Sequence, residues 1–201
     1  MKKTKIEKIE KILWNRWLLI KIYCEDGTIG IGEGGVHGWQ RPTKTMIETM
    51  EPYLIGKDPS LIEHHYQWLY RSSHFMGSVV QGALSAIDIA LWDIRGKALN
   101  QPIYKLLGGA VRDKVALYTH PPSAKTPDEI VQPVKDIVDS GHLAFKMDPM
   151  MPNLHVGNDT FLDGEISAEA ESIAMDILAA ARETAGPDIE ILIDAHGMYN
   201  V

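Results

Sequence analysis

Polar and apolar residues alternate most regularly near the start of the chain. Leu18, Ile20 and Ile22 alternate with Leu19, Lys21 and Tyr23, a period of two that predicts a strand with one face buried. Asp26-Gly27-Thr28 follows, and Asp-Gly is a strong hairpin signal. Ile29 and Ile31 then alternate with glycines up to Glu33. Upstream, Ile6, Ile9 and Ile12 recur every three residues, which fits neither a strand nor a helix; their neighbourhood assigns them to the same antiparallel sheet. Gly34-Gly35-Val36-His37-Gly38-Trp39 reads as a glycine-rich loop, either a plain surface turn or a flap over a ligand.

The period then lengthens. Met46, Ile47, Met50 and Leu54 predict a helix over residues 43–53. Ser60 with Glu63 has the form of a capping box, and Leu61, His65, Trp68 and Leu69 share the next helical face. His64 and His65 are adjacent, so they point to different sides and cannot chelate one metal; both read as structural. Ser78 and Gln81 predict the start of a helix over residues 79–99. Its face of Ala83, Ala86, Ile87, Ala90, Leu91 and Ile94 is narrow enough for close packing. Asp88 and Asp93 lie inside it, where Asp is unfavourable, so they need partners such as Arg95, Lys97 or Arg112. A short helix over residues 103–107 ends at Gly108-Gly109.

Beyond Gly109 strands and helices alternate. Residues 115–119 predict a strand. Thr126-Pro127-Asp128-Glu129 is a full helix start, and Ile130, Val131, Val134, Ile137 and Val138 form the apolar face up to Gly141. Residues 143–148 predict a second strand, closed by Pro149. A Gly-, Asn-, Asp- and Pro-containing loop follows, then a helix capped by Ser167 and ended by Gly186-Pro187, with Ile173, Ile177, Leu178 and Ala181 inward. Residues 189–193 are apolar apart from Glu190, which predicts a strand covered on both faces. It runs into Asp194 and His196, which strand alternation puts on one face, roughly 7 Å apart. A parallel strand that delivers an acid and an imidazole at its C-terminal edge places chemistry there; the plainer reading is an Asp capping the next loop beside a surface His. The order strand, helix, strand, helix, strand predicts a parallel α/β unit.

Composition narrows the function classes. The chain has 201 residues, 45% hydrophobic and 23% charged, which is ordinary for a globular protein. A net charge of −7 argues against nucleic-acid and anionic-membrane partners. The single cysteine, Cys24, excludes an internal disulfide and reads as a small buried strand residue in a reducing compartment. No apolar run reaches the ~18 residues of a membrane span, and the Lys-rich start lacks the apolar core of a signal peptide, so a cytoplasmic location is expected.

The segment Ala83-Leu84-Ser85-Ala86-Ile87-Asp88-Ile89-Ala90-Leu91-Trp92-Asp93-Ile94-Arg95-Gly96-Lys97, followed by Gln101-Pro102-Ile103-Tyr104-Lys105-Leu106-Leu107-Gly108, resembles the N-terminal motif of the mandelate racemase and muconate lactonizing enzyme family of the enolase superfamily. The resemblance implies an α/β protein: an α+β capping domain over residues 1–113, then the first strands and helices of a TIM-type (β/α) barrel over residues 114–201. Such a barrel takes ~250 residues, so the barrel is expected to be incomplete in this chain, which would make it a fragment, a split product or part of a larger molecule.

The resemblance also assigns chemistry. Relatives hold a divalent metal, Mg²⁺ above all, on carboxylates at the ends of the third, fourth and fifth barrel strands, and Asp194 falls at the third. Many carry Lys-x-Lys at the second strand with the second Lys as base; here Lys146 is followed by Asp148. Lys146 is then a candidate to hold the substrate carboxylate or steady an enolate, or else a rim lysine paired with Asp148. Asp194-Ala195-His196-Gly197 resembles the acid-sugar dehydratases of the galactonate dehydratase type, in which the histidine protonates the departing hydroxyl; imidazole titrates near neutrality, which suits that task. Those enzymes often carry Arg where this chain has Met198, and their base is a His–Asp pair from later strands. The expectation is a Mg²⁺-dependent acid-sugar dehydratase with His196 and Lys146 catalytic, Asp194 on the metal, and Lys146, Asp148, His37 and Trp39 at the substrate. Loops around Trp14, Trp17, His37 and Trp39 would close the site. A racemase or epimerase of a hydroxy acid and an inactive fragment are the alternatives. A homo-oligomer is expected, with no nucleic-acid or membrane partner.

Overall fold

The computed structural model describes residues 4–156, 164–197 and Tyr199. The chain divides into two units, Met1–Val111 and Arg112–Val201.

The first unit opens with an antiparallel sheet of β1 (Ile6–Trp14), β2 (Trp17–Cys24) and β3 (Ile29–Glu33), in that order. Leu18, Ile20, Ile22 and Cys24 all point into the core, as the period of two requires. The threefold spacing of isoleucines in β1 has a local cause. The register with β2 slips between Ile6 and Lys8, an irregularity that inserts one residue and brings Ile6 and Ile9 onto the same buried face. The turn after β2 is closed by Asp26, whose Oδ1 accepts from Thr28 N at 3.0 Å, with Gly27 at φ 84°.

Four helices follow: α1 (Gln40–Leu54), α2 (Ile62–Arg71), α3 (Ser78–Leu99) and α4 (Ile103–Leu106). Helix α3 lies against β3 with almost no space between the backbones. A Cβ on Gly32 would stand 2.0 Å from the Ala86 carbonyl oxygen, and one on Gly30 2.1 Å from that of Ala90. The small-residue face of α3 and the glycines of β3 are therefore two halves of one contact. Asp93 and Lys97 complete it. Asp93 Oδ2 accepts from Ile31 N at 2.8 Å, Lys97 Nζ donates to Ile29 O at 2.7 Å, and the two side chains pair at 2.7 Å. Backbone groups on the open side of β3 are thus met by helix side chains, one way a sheet edge is kept from pairing elsewhere. Asp88 lies beside Ile62, Tyr66 and Leu69, and burial pushes its carboxyl above the ordinary range.

His65 is buried, donates from Nε2 to Asp58 O at 2.8 Å and accepts from the Tyr53 hydroxyl at 3.1 Å. Tyr53 in turn stacks on Trp68 at 3.8 Å. His64 is exposed. Two expected caps are corrected. The residue before α3 is Gly77, not Ser78, and the residue before α2 is Leu61, not Ser60; neither makes a side-chain cap. Ser60 N instead donates to Asp58 Oδ1 at 2.8 Å, so Asp58 rather than Ser60 organises that turn.

The second unit contains α5 (Pro127–Asp139), β4 (Ala144–Met147), a 3-10 turn (Met151–Asn153), α6 (Ala168–Ala185) and β5 (Glu190–Ile193). β4 and β5 pair in parallel, with Lys146 opposite Leu192 and Met147 opposite Ile193. Phe145 and Met147 are buried with Ile130, Val134, Ile177 and Ala181 of α5 and α6. Ser167 caps α6, its hydroxyl accepting from Ala170 N at 3.1 Å. Thr126 and Pro127 stand at the start of α5 as expected, but Thr126 makes no side-chain cap bond, and Glu129 reaches Lys125 N, at 2.7 Å, one residue before the cap.

Two strand expectations are corrected. Of residues 115–119 only Thr119 pairs, as an isolated parallel bridge to Phe145. β5 is not covered on both faces: Leu192 is 37% and Ile193 46% exposed. Among the described residues β5 pairs with β4 alone, so its apolar composition exceeds what this unit covers.

Candidate active site

Parity builds the site. In parallel neighbours, residues in register point to the same side, and side chains on one strand alternate. Phe145 and Met147 face the helices, so Lys146 faces away from them, together with its partner Leu192. Continuing by two residues along each strand gives Asp148 on one side and Asp194 on the other. Asp194 N donates to Met147 O at 3.0 Å, which carries the ladder one step beyond β5 and fixes where the acid stands.

The backbone then turns. His196 has φ 51° and Gly197 φ 65°, both left-handed, and His196 N donates to Asp194 Oδ1 at 3.2 Å. His is among the residues that tolerate this conformation better than most. The turn corrects the spacing expected from an extended strand. His196 Nδ1 comes within 3.7 Å of Asp194 Oδ1, because strand alternation stops at Ile193 and the chain curls back on its own carboxylate.

The ion pairs differ from the expected ones. Lys146 Nζ pairs with Asp194 Oδ2 at 2.6 Å, not with Asp148. Asp148 is held elsewhere: its Oδ1 accepts from Met150 N at 3.1 Å and Met151 N at 3.0 Å, and its Oδ2 faces His196 Nδ1 at 3.2 Å. The result is two crossed contacts between the ends of β4 and β5. The hydrogen bond and charge of Lys146, with the bond from His196 N, hold the Asp194 carboxyl below the usual range, and Asp194 in return raises Lys146. Lys146 Nζ also lies 5.6 Å over the ring of Tyr118. Lys146, Asp148, Asp194 and His196 line one pocket, with His120 and Met151 on its wall.

His37 and Trp39 belong to the first unit. His37 is exposed in the loop after β3, and Trp39 is the exposed residue preceding α1. Met198 lies outside the described residues. Tyr118, His120 and Tyr199 complete the surroundings in ways the sequence reading did not single out. The Tyr199 hydroxyl is buried without a partner among the described residues, and burial and the Asp148 charge raise it. Tyr118 and His120 flank Thr119, whose parallel bridge marks a strand end, so their position was the usable signal.

The donor set bears on metal binding. Asp194 offers the oxygen ligand a hard divalent cation takes. Among the described residues no group of three or more His, Cys, Asp or Glu side chains is arranged to hold a metal ion. Asp194 therefore fits as one ligand of a larger set and is too little alone.

Comparison with known proteins gives the wider setting. Residues 9–108 match the model of the mandelate racemase / muconate lactonizing enzyme N-terminal domain. The chain is 35% identical over 183 residues to D-galactonate dehydratase of Pectobacterium atrosepticum, covering 90% of this chain and 45% of that protein. It is 35% identical over 187 residues to D-galactonate dehydratase of Verminephrobacter eiseniae, covering 92% and 46%. The crystal structure of a member of the enolase superfamily from Salmonella Typhimurium superimposes with a TM-score of 0.87 at 27% identity, over 98% of this chain and 55% of that one. The chain thus spans about half the length of the curated relatives it matches.

Proposed function

We propose, from the premise that this chain belongs to the mandelate racemase and muconate lactonizing enzyme family of the enolase superfamily, that it carries part of the active site of an acid-sugar dehydratase. The reaction is loss of water from a sugar carboxylate: a base, expected from the later barrel strands of the family, takes the proton next to the carboxylate, and the β-hydroxyl of the resulting enolate takes a proton from a general acid and departs as water. The observation that carries this reading is the His196 imidazole seated between Asp194 and Asp148 at the ends of two parallel strands. An acid held there can protonate a departing hydroxyl, work that general acids typically accelerate about 10²–10⁴-fold. The dehydratase names of the relatives support the same class.

Lys146 has a different task. Its partner Asp194 favours the charged ammonium, which makes it a poor base and a good counter-ion for the substrate carboxylate or the enolate. Mg²⁺ is the cofactor of this reading. When bound it would stabilise the doubly charged enolate, and Asp194 would be one of its ligands. His37 and Trp39 are proposed as substrate-binding residues, and Asp148 belongs to the pocket lined by Lys146, Asp194 and His196.

The test is incubation of the full-length protein with Mg²⁺ and a panel of sugar acids that includes galactonate, followed by detection of a 2-keto-3-deoxy acid. Formation of that product from at least one acid is expected. Exchange of the α-proton with solvent deuterium, with no loss of water from any acid, would replace this reading with a racemase or epimerase.

A further inference from the structure

Asp148 takes no part in the proton transfers of the proposed reaction, yet it is the least exposed of the four ionisable side chains at the ends of β4 and β5. It is 11% exposed, and both of its oxygens are engaged within the protein. Oδ1 takes the two backbone N–H groups of Met150 and Met151, which pins the carboxylate on the turn that ends β4. Oδ2 is thereby aimed at His196 Nδ1. A carboxylate oxygen can only accept, so the ring must carry its hydrogen on Nδ1. Nε2 is then the ring nitrogen left to exchange a proton with substrate. Asp194 lies on the same side of the ring, 3.7 Å from Nδ1, and reinforces that choice.

We infer that Asp148 is a positioning residue: through the Oδ2 to Nδ1 contact it fixes the tautomer and orientation of His196, and it acts on the substrate only through that ring. The inference rests on the proposed dehydratase reading for its kinetic consequence, but not for its structural one.

Asp148→Asn is the informative variant. Its amide oxygen can keep the bonds from Met150 N and Met151 N. Its NH₂ group then faces His196 Nδ1, which must accept, and the ring moves to the Nε2–H tautomer. Two-dimensional ¹H–¹⁵N spectra of the imidazoles, recorded well above the ordinary imidazole pKa, read this directly. The chain has eight histidines, and loss of one signal in His196→Gln assigns the resonance.

The expected result is Nδ1–H in the natural protein and Nε2–H in Asp148→Asn. With an acid that the natural protein dehydrates, kcat should fall by about 100-fold while KM moves less than about threefold. Asp148→Ser, which keeps a hydroxyl for the turn and cannot reach the ring, should leave His196 in the mixed tautomers of a free imidazole. An unchanged Nδ1–H signal in both variants overturns the inference whatever the activity. A changed tautomer with unchanged kcat confines Asp148 to structure and overturns its role in turnover. If no sugar acid is dehydrated the functional reading fails, and the spectra still decide the placement of His196.

Discussion

The two units use their strands for different ends. In the first, the strands serve closure. The sheet's inward residues are buried, the backbone of β3 is pressed against α3 by paired glycines and alanines, and Asp93 and Lys97 answer the open edge. In the second, one face of β4 is buried under α5 and α6, while the other presents charged groups crossed in pairs. β5 leaves Leu192 and Ile193 exposed. The first unit therefore carries the tight packing, and the second, in the proposed reading, carries the chemistry on strand ends. Stability and reactivity should consequently respond to different substitutions.

The largest effect is expected on turnover. Lys146→Met removes the cation that faces Asp194 and, by proposal, the substrate carboxylate. A fall in kcat/KM of about 10²–10³ is expected, with the urea midpoint hardly moved, because an ion pair still open to solvent on both sides contributes little to folding. A large loss of stability instead would break the division of labour. Next comes Gly32→Ala. A methyl group 2.0 Å from the Ala86 carbonyl oxygen forces α3 and β3 apart, and overpacking against backbone should cost about 3 kcal/mol. Urea unfolding measures it, and hydrogen exchange should locate the loss in β3 and α3.

A smaller effect concerns pH. Burial lowers the His65 pKa, so the folded state holds the ring neutral while the unfolded chain takes up a proton. The stability contributed is complete above the ordinary histidine value of 6.5 and is lost as pH falls below it. Natural protein should lose urea resistance on acidification through that range, and His65→Leu should flatten the dependence while costing about 2 kcal/mol at neutral pH through the stranded Tyr53 hydroxyl and Asp58 carbonyl. The Lys146–Asp194 pair should not contribute there. The lowered Asp194 loses its charge only as pH falls below the ordinary carboxylate range, and the raised Lys146 only above the ordinary lysine range. The smallest effect is expected for Leu192→Thr, within about 0.5 kcal/mol, since the residue is already exposed. A cost comparable with that of truncating the buried Ile20 would erase the contrast between the units.

Legibility in the sequence follows the same contrast. The alternation of Leu18, Ile20 and Ile22 and the small-residue face of α3 are periodic signals, and both are found in the structure. The irregular spacing of Ile6 and Ile9 was not readable alone, because a slip in register is set by the partner strand. The caps failed for a related reason: Ser60 and Ser78 have the right chemistry, but Asp58 and Gly77 occupy the turns. At the site, Asp194 and His196 were legible as a pair at a strand end. Their pairings with Lys146 and Asp148 were not, because these depend on the parallel register of β4 with β5 and on the left-handed turn at His196. Tyr199 left no periodic trace at all.

The central claim is that His196 is the acid that expels the hydroxyl. The most direct measurement follows His196→Asn in deuterated water with a sugar acid that the natural protein dehydrates, monitoring α-proton exchange and keto-acid formation together. The account predicts that dehydration falls by about 10²-fold or more while exchange of the α-proton continues. Dehydration at the natural rate in that variant would contradict it.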